Sequence, residues 1–223
     1  MDRKKINLYT EKQKDYYTNI RYDIIELIPR NPNNKILEIG CGYGATLVEL
    51  KKLKKADYVV GIDIVDMGQK QNLDDFICCD IEEPENLPFP TNFFDIIICA
   101  DVLEHLIDPW STLKKLKKYL KSGGYIISSI PNIREIRTMF TIFLKGDFRY
   151  VERGILDKTH LRFFCKKNII NLFNETGFKI ERVTYKLPLK RNLVNKVFMG
   201  LLEEFVVVQY LIVAINENTE KNS

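Results

Sequence analysis

Apolar residues along this chain recur at two spacings, and the spacing switches repeatedly from one to the other. Within residues 11–30, Tyr17, Ile20, Ile24, Leu27 and Ile28 stand mostly three or four positions apart, and Pro29 and Pro32 close the segment. One helix face has that spacing, so a helix is expected ahead of the core. KILEIG (35–40) is a short apolar run that predicts a buried strand, and GCGYGATLVELKKL turns sharply from it into a helix. YVVGIDIV (58–65), FICCDI (76–81), FFDIIICADVL (93–103) and YIISSIPN (125–132) predict four more strands. The run 93–103 is nearly all apolar, as a central parallel strand covered on both faces requires. PENLPFPTN (84–92) reads as a loop, and STLKKLKKYLK as a helix stopped by Ser122-Gly123-Gly124. KKNIINLFNETG predicts a helix ended at Gly177. FKIERVTYKL and FVVVQYLIVAI predict two last strands, with a short helix around Asn192–Glu203 between them.

Strands alternating with helices mean an α/β fold, a doubly wound, mostly parallel sheet of Rossmann-like type. The chain reads as one domain over residues 1–223, with 1–34 as a helical cap. Residues 133–165 exceed what a simple crossover needs, and surplus above such a sheet reads as a lid over a binding site. Within it, Ile133, Ile136, Met139, Phe140 and Phe143 predict an amphipathic helix. The first reading is a cover for the pocket; a surface for a lipid-linked acceptor or a dimer contact is the alternative.

Composition narrows the class. Of 223 residues, 45% are hydrophobic and 29% charged, which excludes a disordered tail protein. No apolar run reaches the roughly 18 residues of a membrane span, so no transmembrane segment is expected. The start, MDRKKINLYTEKQK, lacks the apolar centre of a secretory signal, and a cytoplasmic location is the reading. Cys41, Cys78, Cys79, Cys99 and Cys165 are odd in number and contain no C-x-x-C pair, so they are expected as reduced core residues. A net charge of +4 does not argue for nucleic acid, and KKLKK (51–55) and KKLKKYLK (114–121) read as solvated helix faces. Nothing in the pattern separates monomer from homodimer.

The most pointed chemical signal is Glu38-Ile39-Gly40-Cys41-Gly42-Tyr43-Gly44-Ala45 at a strand-to-helix turn. Glycines let the backbone turn tightly and approach a ligand, and the helix start offers N–H groups to it. Read as G-x-G-x-x-A, the turn also fits a nicotinamide dinucleotide. Glu38 argues the other way, since a carboxylate beside the glycines repels a pyrophosphate but suits an ammonium-bearing ligand. Asp63 ends the second strand, where it suits a ribose diol, and Asp80 ends the third, where it suits an adenine amino group. Acids at strand ends also cap turns, which is the plain alternative for both.

In this order and at these spacings, EIGCGYG, GIDIV, CDIEE, FDIIICADVLEHLIDPW and LKSGGYIISSIPN resemble a class I S-adenosylmethionine-dependent methyltransferase over nearly the whole chain. The resemblance implies a seven-stranded sheet whose last strand is antiparallel. It implies S-adenosylmethionine as cofactor, lined by Gly40, Gly42 and Gly44, with Asp63 and Ile64 at the ribose, Asp80 and Ile81 at the adenine, and Ala100 near the methionine part. Tyr16-Tyr17 with Arg21, and GILDKTHLRFF (154–164), resemble methyltransferases found with bacterial glycan and glycosyltransfer enzymes. That narrower likeness implies Tyr17 and Arg21 at the cofactor, beside Glu38 of the glycine turn. It also implies a small-molecule or glycan acceptor, with a hydroxyl of a sugar, nucleotide-sugar or glycan intermediate as the first choice. An amine acceptor and a non-catalytic cofactor-binding module are the alternatives.

Transfer to a hydroxyl needs a base or a metal that lowers the hydroxyl pKa. The chain has only two histidines, His105 and His160, and both fall in the distinctive motifs. Asp101, Glu104 and His105 follow the fourth strand at the edge where such sheets bind ligands. If 101–105 begin a helical turn, the three share a face. His160 is expected near Glu104 and His105, facing the reacting methyl group as base or acceptor contact. The set resembles the Glu-x-x-Glu-His with a later His of small-RNA 2′-O-methyltransferases and of some quinone-precursor O-methyltransferases, where a divalent cation is held. By that likeness Asp101, Glu104, His105 and His160 are the alternative metal set, with Asp101 in place of a longer Glu. The first reading needs no metal. Arg162 is expected to pair with Asp157 or with an acid on the substrate, and Phe163 and Phe164 to pack beneath the lid.

Overall fold

The apolar runs become the strands of a single sheet. The computed structural model describes residues 19–66, 68, 72–83, 85–187 and 202–217. Its strands are β1 (Lys35–Ile39), β2 (Tyr58–Asp63), β3 (Asp75–Cys78), β4 (Phe94–Ala100), β5 (Leu120–Pro131), β6 (Lys179–Thr184) and β7 (Gln209–Ile215). They lie side by side in the order β3-β2-β1-β4-β5-β7-β6. Pairing is parallel from β3 to β5, whereas β7 runs antiparallel to both β5 and β6. The seven-stranded sheet with an antiparallel last strand is therefore observed.

Alternation along the strands builds two apolar layers. Leu37, Ile39, Val60, Ile62, Ile97 and Cys99 face one side, where they meet Leu113 and Leu116 of α3 (Pro109–Lys117) and Leu172 and Phe173 of α5 (Lys166–Glu175). Ile36, Val59, Ile96 and Ile98 face the other, against Ile24 and Ile25 of α1 (Tyr22–Ile25) and Leu47 and Leu50 of α2 (Ala45–Lys52). The parallel strands thus run out at one edge, between two sealed layers, and the glycine turn sits at that edge.

Several elements depart from the sequence pattern. The early helix is seen as α1, and Tyr17 lies outside the described residues. Helix α3 stops at Lys117, before Ser122-Gly123-Gly124, and those residues belong to β5. Phe93 and Phe94 each take the Tyr119 carbonyl at 2.9 Å, so strand pairing claims the chain early. The β4–β5 register shifts between Phe94 and Ile96, and Gly123 sits in this bulge at φ +74°. A side chain at Gly124 would come within 2.9 Å of the Asp95 carbonyl oxygen. The last strand starts at Gln209, not at Phe205, because Glu203–Val206 form a short helix, α6. The rest of the helix expected around Asn192–Glu203 falls on residues outside those described. In the 133–165 segment, α4 (Ile136–Leu144) forms where the pattern predicts it, but none of its residues is buried.

Candidate active site

A cavity of about 760 Å³ opens where β1, β2 and β4 end. Ligands bind at that carboxyl edge in parallel sheets, and the volume is of cofactor size. The turn after β1 forms its floor. Gly40, Gly42 and Gly44 all have left-handed backbone, at φ +68°, +54° and +73°. At Gly40 space is short as well, since a β-carbon there would meet Val102 Cγ2 at 2.8 Å. Only glycine meets both demands, and the result is a bare backbone facing the cavity.

Three acids surround that floor. Glu38 is 4% exposed, and its Oε2 has no hydrogen-bond partner. Burial pushes its carboxyl up to about 8; Arg21 opposes the rise and Asp63 adds to it. A buried carboxylate oxygen aimed into a cavity is matched by a ligand bearing positive charge. Asp63, at the end of β2, accepts the Gly42 N–H at 2.8 Å and the Val65 N–H at 3.0 Å. Burial raises its pKa, and these backbone donors offset part of the rise. Asp80 lies beyond β3, with one oxygen accepting the Glu82 N–H at 3.1 Å. An orphaned acid, a bare glycine turn and acids at successive strand ends fit a cofactor with an amino group, a ribose diol and an adenine. Gly40, Gly42, Asp63, Ile64, Asp80 and Ile81 all line the cavity, as do Arg21, Glu38 and Ala100.

Arg21 reaches the same cavity from the segment before α1. Its guanidinium grips Asp23 through Nε at 2.9 Å and Nη2 at 2.8 Å, and Nη1 donates to Asp101 Oδ2. Burial works to lower its pKa, but the two carboxylates outweigh burial and raise it. Asp101 also accepts the Ser129 hydroxyl at 3.0 Å and the Gln209 amide. With φ at +57° it stands before the 3₁₀ turn Leu103–His105 and does not share its face. This corrects the expectation that Asp101 joins the histidines.

What gathers instead is Glu104, His105 and His160, all buried, with one potential ligand atom from each within 4.8 Å of the others. His105 Nδ1 lies 3.0 Å from the Thr159 carbonyl, and His160 Nδ1 lies 2.9 Å from the Ile155 carbonyl. A carbonyl only accepts, so each Nδ1 carries the proton and each Nε2 carries the lone pair. His160 Nε2 is 4.0 Å from Glu104 Oε1, and the two imidazole rings cross at 73° with centroids 4.7 Å apart. His105 lines the cavity, while Glu104, His160 and Gly44 are not among its lining residues.

Local hydrogen bonds explain why the motif reads DKTHLR. Asp157 accepts the Thr159 N–H at 2.9 Å and its hydroxyl at 2.7 Å, closing a tight turn ahead of His160. The Leu161 and Arg162 N–H groups both donate to the Glu104 carbonyl, at 2.8 and 2.9 Å. Arg162 sends its Nε and Nη2 to the Ile107 carbonyl, so it ties the two segments together and does not pair with Asp157. Phe164 is buried, and Phe163 rests against Phe148 and His160. The cavity also takes in Thr46, Cys79 and Arg153. Sequence reading missed them: Arg153 is the sole contribution of the 133–165 segment, and no spacing signal marks it.

A sequence-family profile described as "Methyltransferase domain" matches residues 11–183. A ubiquinone biosynthesis O-methyltransferase of Chromobacterium violaceum is 30% identical over 123 residues, which cover 51% of this chain and 51% of that protein. A 27-O-demethylrifamycin SV methyltransferase of Amycolatopsis mediterranei is 26% identical over 106 residues, covering 44% of this chain and 39% of that protein. The chain thus spans about half or less of the length of these two curated relatives. Among solved structures, a SAM-dependent methyltransferase from Archaeoglobus fulgidus aligns with a TM-score of 0.64 at 17% identity, over 96% of this chain and 100% of that one. At that identity the likeness speaks for the fold.

Proposed function

The chain belongs to the class I methyltransferase-domain family, whose cofactor is S-adenosylmethionine, and from that premise we propose that it methylates a hydroxyl of a sugar, nucleotide-sugar or glycan intermediate. The bound cofactor supplies a methyl group already activated on a sulfonium. Holding it falls to the glycine turn, to Glu38 for the amino group, to Asp63 for the ribose, and to Asp80 with Ile81 for the adenine. Arg21 adds the cation that a carboxylate end calls for. The remaining task of the chain is to align an acceptor oxygen, exclude water and take its proton.

One observation carries the choice of a hydroxyl: the buried Glu104–His105–His160 cluster presents His105 to the cofactor cavity. A neutral amine already carries the attacking lone pair, whereas a hydroxyl needs a base or a metal to take its proton. In this reading His105, on the cavity lining, accepts the proton, and His160 and Glu104, packed behind it, orient it and stabilise the imidazolium that results. The sugar class rests on the likeness of Tyr17, Arg21 and residues 154–164 to glycan-associated methyltransferases. The curated relatives act on other acceptors by name, and both include O-methylation or a demethylated oxygen in that name.

A second reading has its own support. One ligand atom each from Glu104, His105 and His160, gathered within 4.8 Å, with each imidazole oriented by a hydrogen bond through Nδ1, form a donor set suited to a divalent cation such as Zn²⁺ or Mn²⁺.

The test has a binding arm and a turnover arm. S-adenosylhomocysteine is expected to bind at micromolar strength, NAD not to bind, and Asp63→Ala to weaken S-adenosylhomocysteine by at least about tenfold. A screen of nucleotide sugars and glycan intermediates with labelled methyl donor then seeks turnover. His160→Ala is expected to lower it by about 10²–10⁴-fold while cofactor affinity holds. Methylation of amines alone, surviving His160→Ala, would overturn the hydroxyl assignment. Loss of activity in EDTA, with Glu104→Ala as damaging as His160→Ala, would select the metal reading.

A further inference from the structure

Helix α4 has its apolar stripe on the outside. Ile136, Phe140, Phe143 and Leu144 fall at positions i, i+4, i+7 and i+8, which is one face of a helix. In a globular fold that face turns inward, yet here the four residues are 52, 50, 71 and 74% exposed. The helix is nevertheless well built. Glu135 caps its start, accepting the Arg137 and Thr138 N–H groups at 3.0 and 3.1 Å. Along the chain the exposed apolar residues continue past its end with Phe148, Tyr150 and Val151. Four exposed apolar residues on one helix face, followed by three more in the next seven residues, mark an interaction surface.

Charge selects the occupant. Residues 134–153 hold five basic side chains and three acidic ones. Each acid is engaged within the fold: Glu135 at the helix cap, Asp147 with Arg149, and Glu152 with Lys158. Arg137 in α4 and Lys145 just past its end form no ion pair among the described residues; the Lys145 ammonium stands 5.8 Å above the Phe140 ring. An apolar stripe with Phe and Tyr at its edge, flanked by cations, complements hydrocarbon beneath anionic headgroups. At nine residues the helix extends about 14 Å, too short to span, so it lies in the surface. No described helix is long and apolar enough to cross a membrane.

We propose that α4 and the loop through Val151 dock this chain on an anionic lipid bilayer. Two residues past Val151, Arg153 stands on the cavity lining. The cavity mouth is thereby brought beside the headgroup layer, where the hydroxyl of an amphiphilic acceptor stands. This goes beyond the proposed reaction, and its test reads binding without turnover, so either can fail alone.

The experiment is sedimentation of the full chain with two kinds of vesicle, phosphatidylcholine alone and phosphatidylcholine mixed with phosphatidylglycerol. Binding is expected to the mixed vesicles, weaker to the neutral ones, and diminished by salt. Phe143→Ser with Leu144→Ser, and separately Arg137→Glu with Lys145→Glu, are each expected to lower affinity for mixed vesicles by at least about tenfold. S-adenosylhomocysteine binding reports that both variants fold. Absence of binding by the parent chain overturns the proposal, as does equal binding to both vesicles or unchanged binding by the Ser variant. A parent dimer that the Ser variant converts to monomer, by analytical ultracentrifugation, would assign the stripe to a second copy of the chain and overturn it likewise.

Discussion

The Glu38 carboxyl loses its proton only near pH 8, because burial in the cavity floor disfavours its charge. In the unfolded chain it titrates at about 4.3. Between those values the folded chain binds a proton that the unfolded chain has released. Stability of the ligand-free protein from this group therefore falls as pH rises through that window. A cationic ligand reverses the preference, since it favours the ionised carboxylate. Affinity for S-adenosylmethionine is expected to climb with pH until about 8 and then level off, with a proton released on binding below that point. Calorimetry in buffers of different ionisation enthalpy reads that proton. Glu38→Gln should remove it, and an affinity in the parent chain that does not change with pH would sink the assignment. Glu38, Asp63 and Asp80 were legible in sequence because each stands at a strand end, and a strand end in a parallel sheet points at the ligand edge. The partner of Asp101 was not legible. Arg21 lies 80 positions away, and Gln209 lies 108 away. No local pattern announces contacts that the sheet order creates.

Strand β2 carries a glycine with ordinary backbone, Gly61, for a reason of space alone. A β-carbon there would fall 2.6 Å from Cys41 Sγ and 2.8 Å from Leu73 Cδ1. Gly61→Ala is expected to destabilise the fold by about 1–3 kcal/mol, the usual range for overpacking. A lower urea midpoint with unchanged slope is the measurement, and adding Cys41→Ala should restore part of the loss. An unaltered midpoint would show that the glycine turn yields freely. At this scale the core strands were readable, since apolar runs such as 93–103 have few other uses. Element ends were less so. Residues 118–121 satisfy a helix pattern, but the N–H groups of Phe93 and Phe94 recruit the Tyr119 carbonyl first. Helix α4 shows the same limit from the other side. Its period identifies the helix correctly, while which side faces the core is a property of its neighbours.

Over the whole molecule, Asp101 ties together parts of the chain that meet nowhere else in sequence. Arg21 ahead of α1, Ser129 in β5 and Gln209 in β7 all donate to its carboxylate. Asp101→Ala is expected to cost about 1–3 kcal/mol, and a lowered Tm checks it. Since Arg21 also lines the cavity, S-adenosylhomocysteine should restore less stability to that variant than to the parent chain; equal restoration would separate the tie from the site. Fold and cofactor class were legible because five motifs occur in one order. The acceptor was not, because the segment meant to contact it adds only Arg153 to the cavity. The place of β7 has a further consequence. It fills the gap between β5 and β6, pairing Tyr125–Pro131 on one side and Lys179–Thr184 on the other. On the ribosome, β5 and β6 emerge before it exists. The nascent chain therefore carries two unpaired edges, one lined by Ile126, Ile127 and Ile130, until residues 209–215 leave the exit tunnel. Any pause in translation ahead of Gln209 lengthens that exposure, and with it the chain's dependence on chaperones that shield open strands.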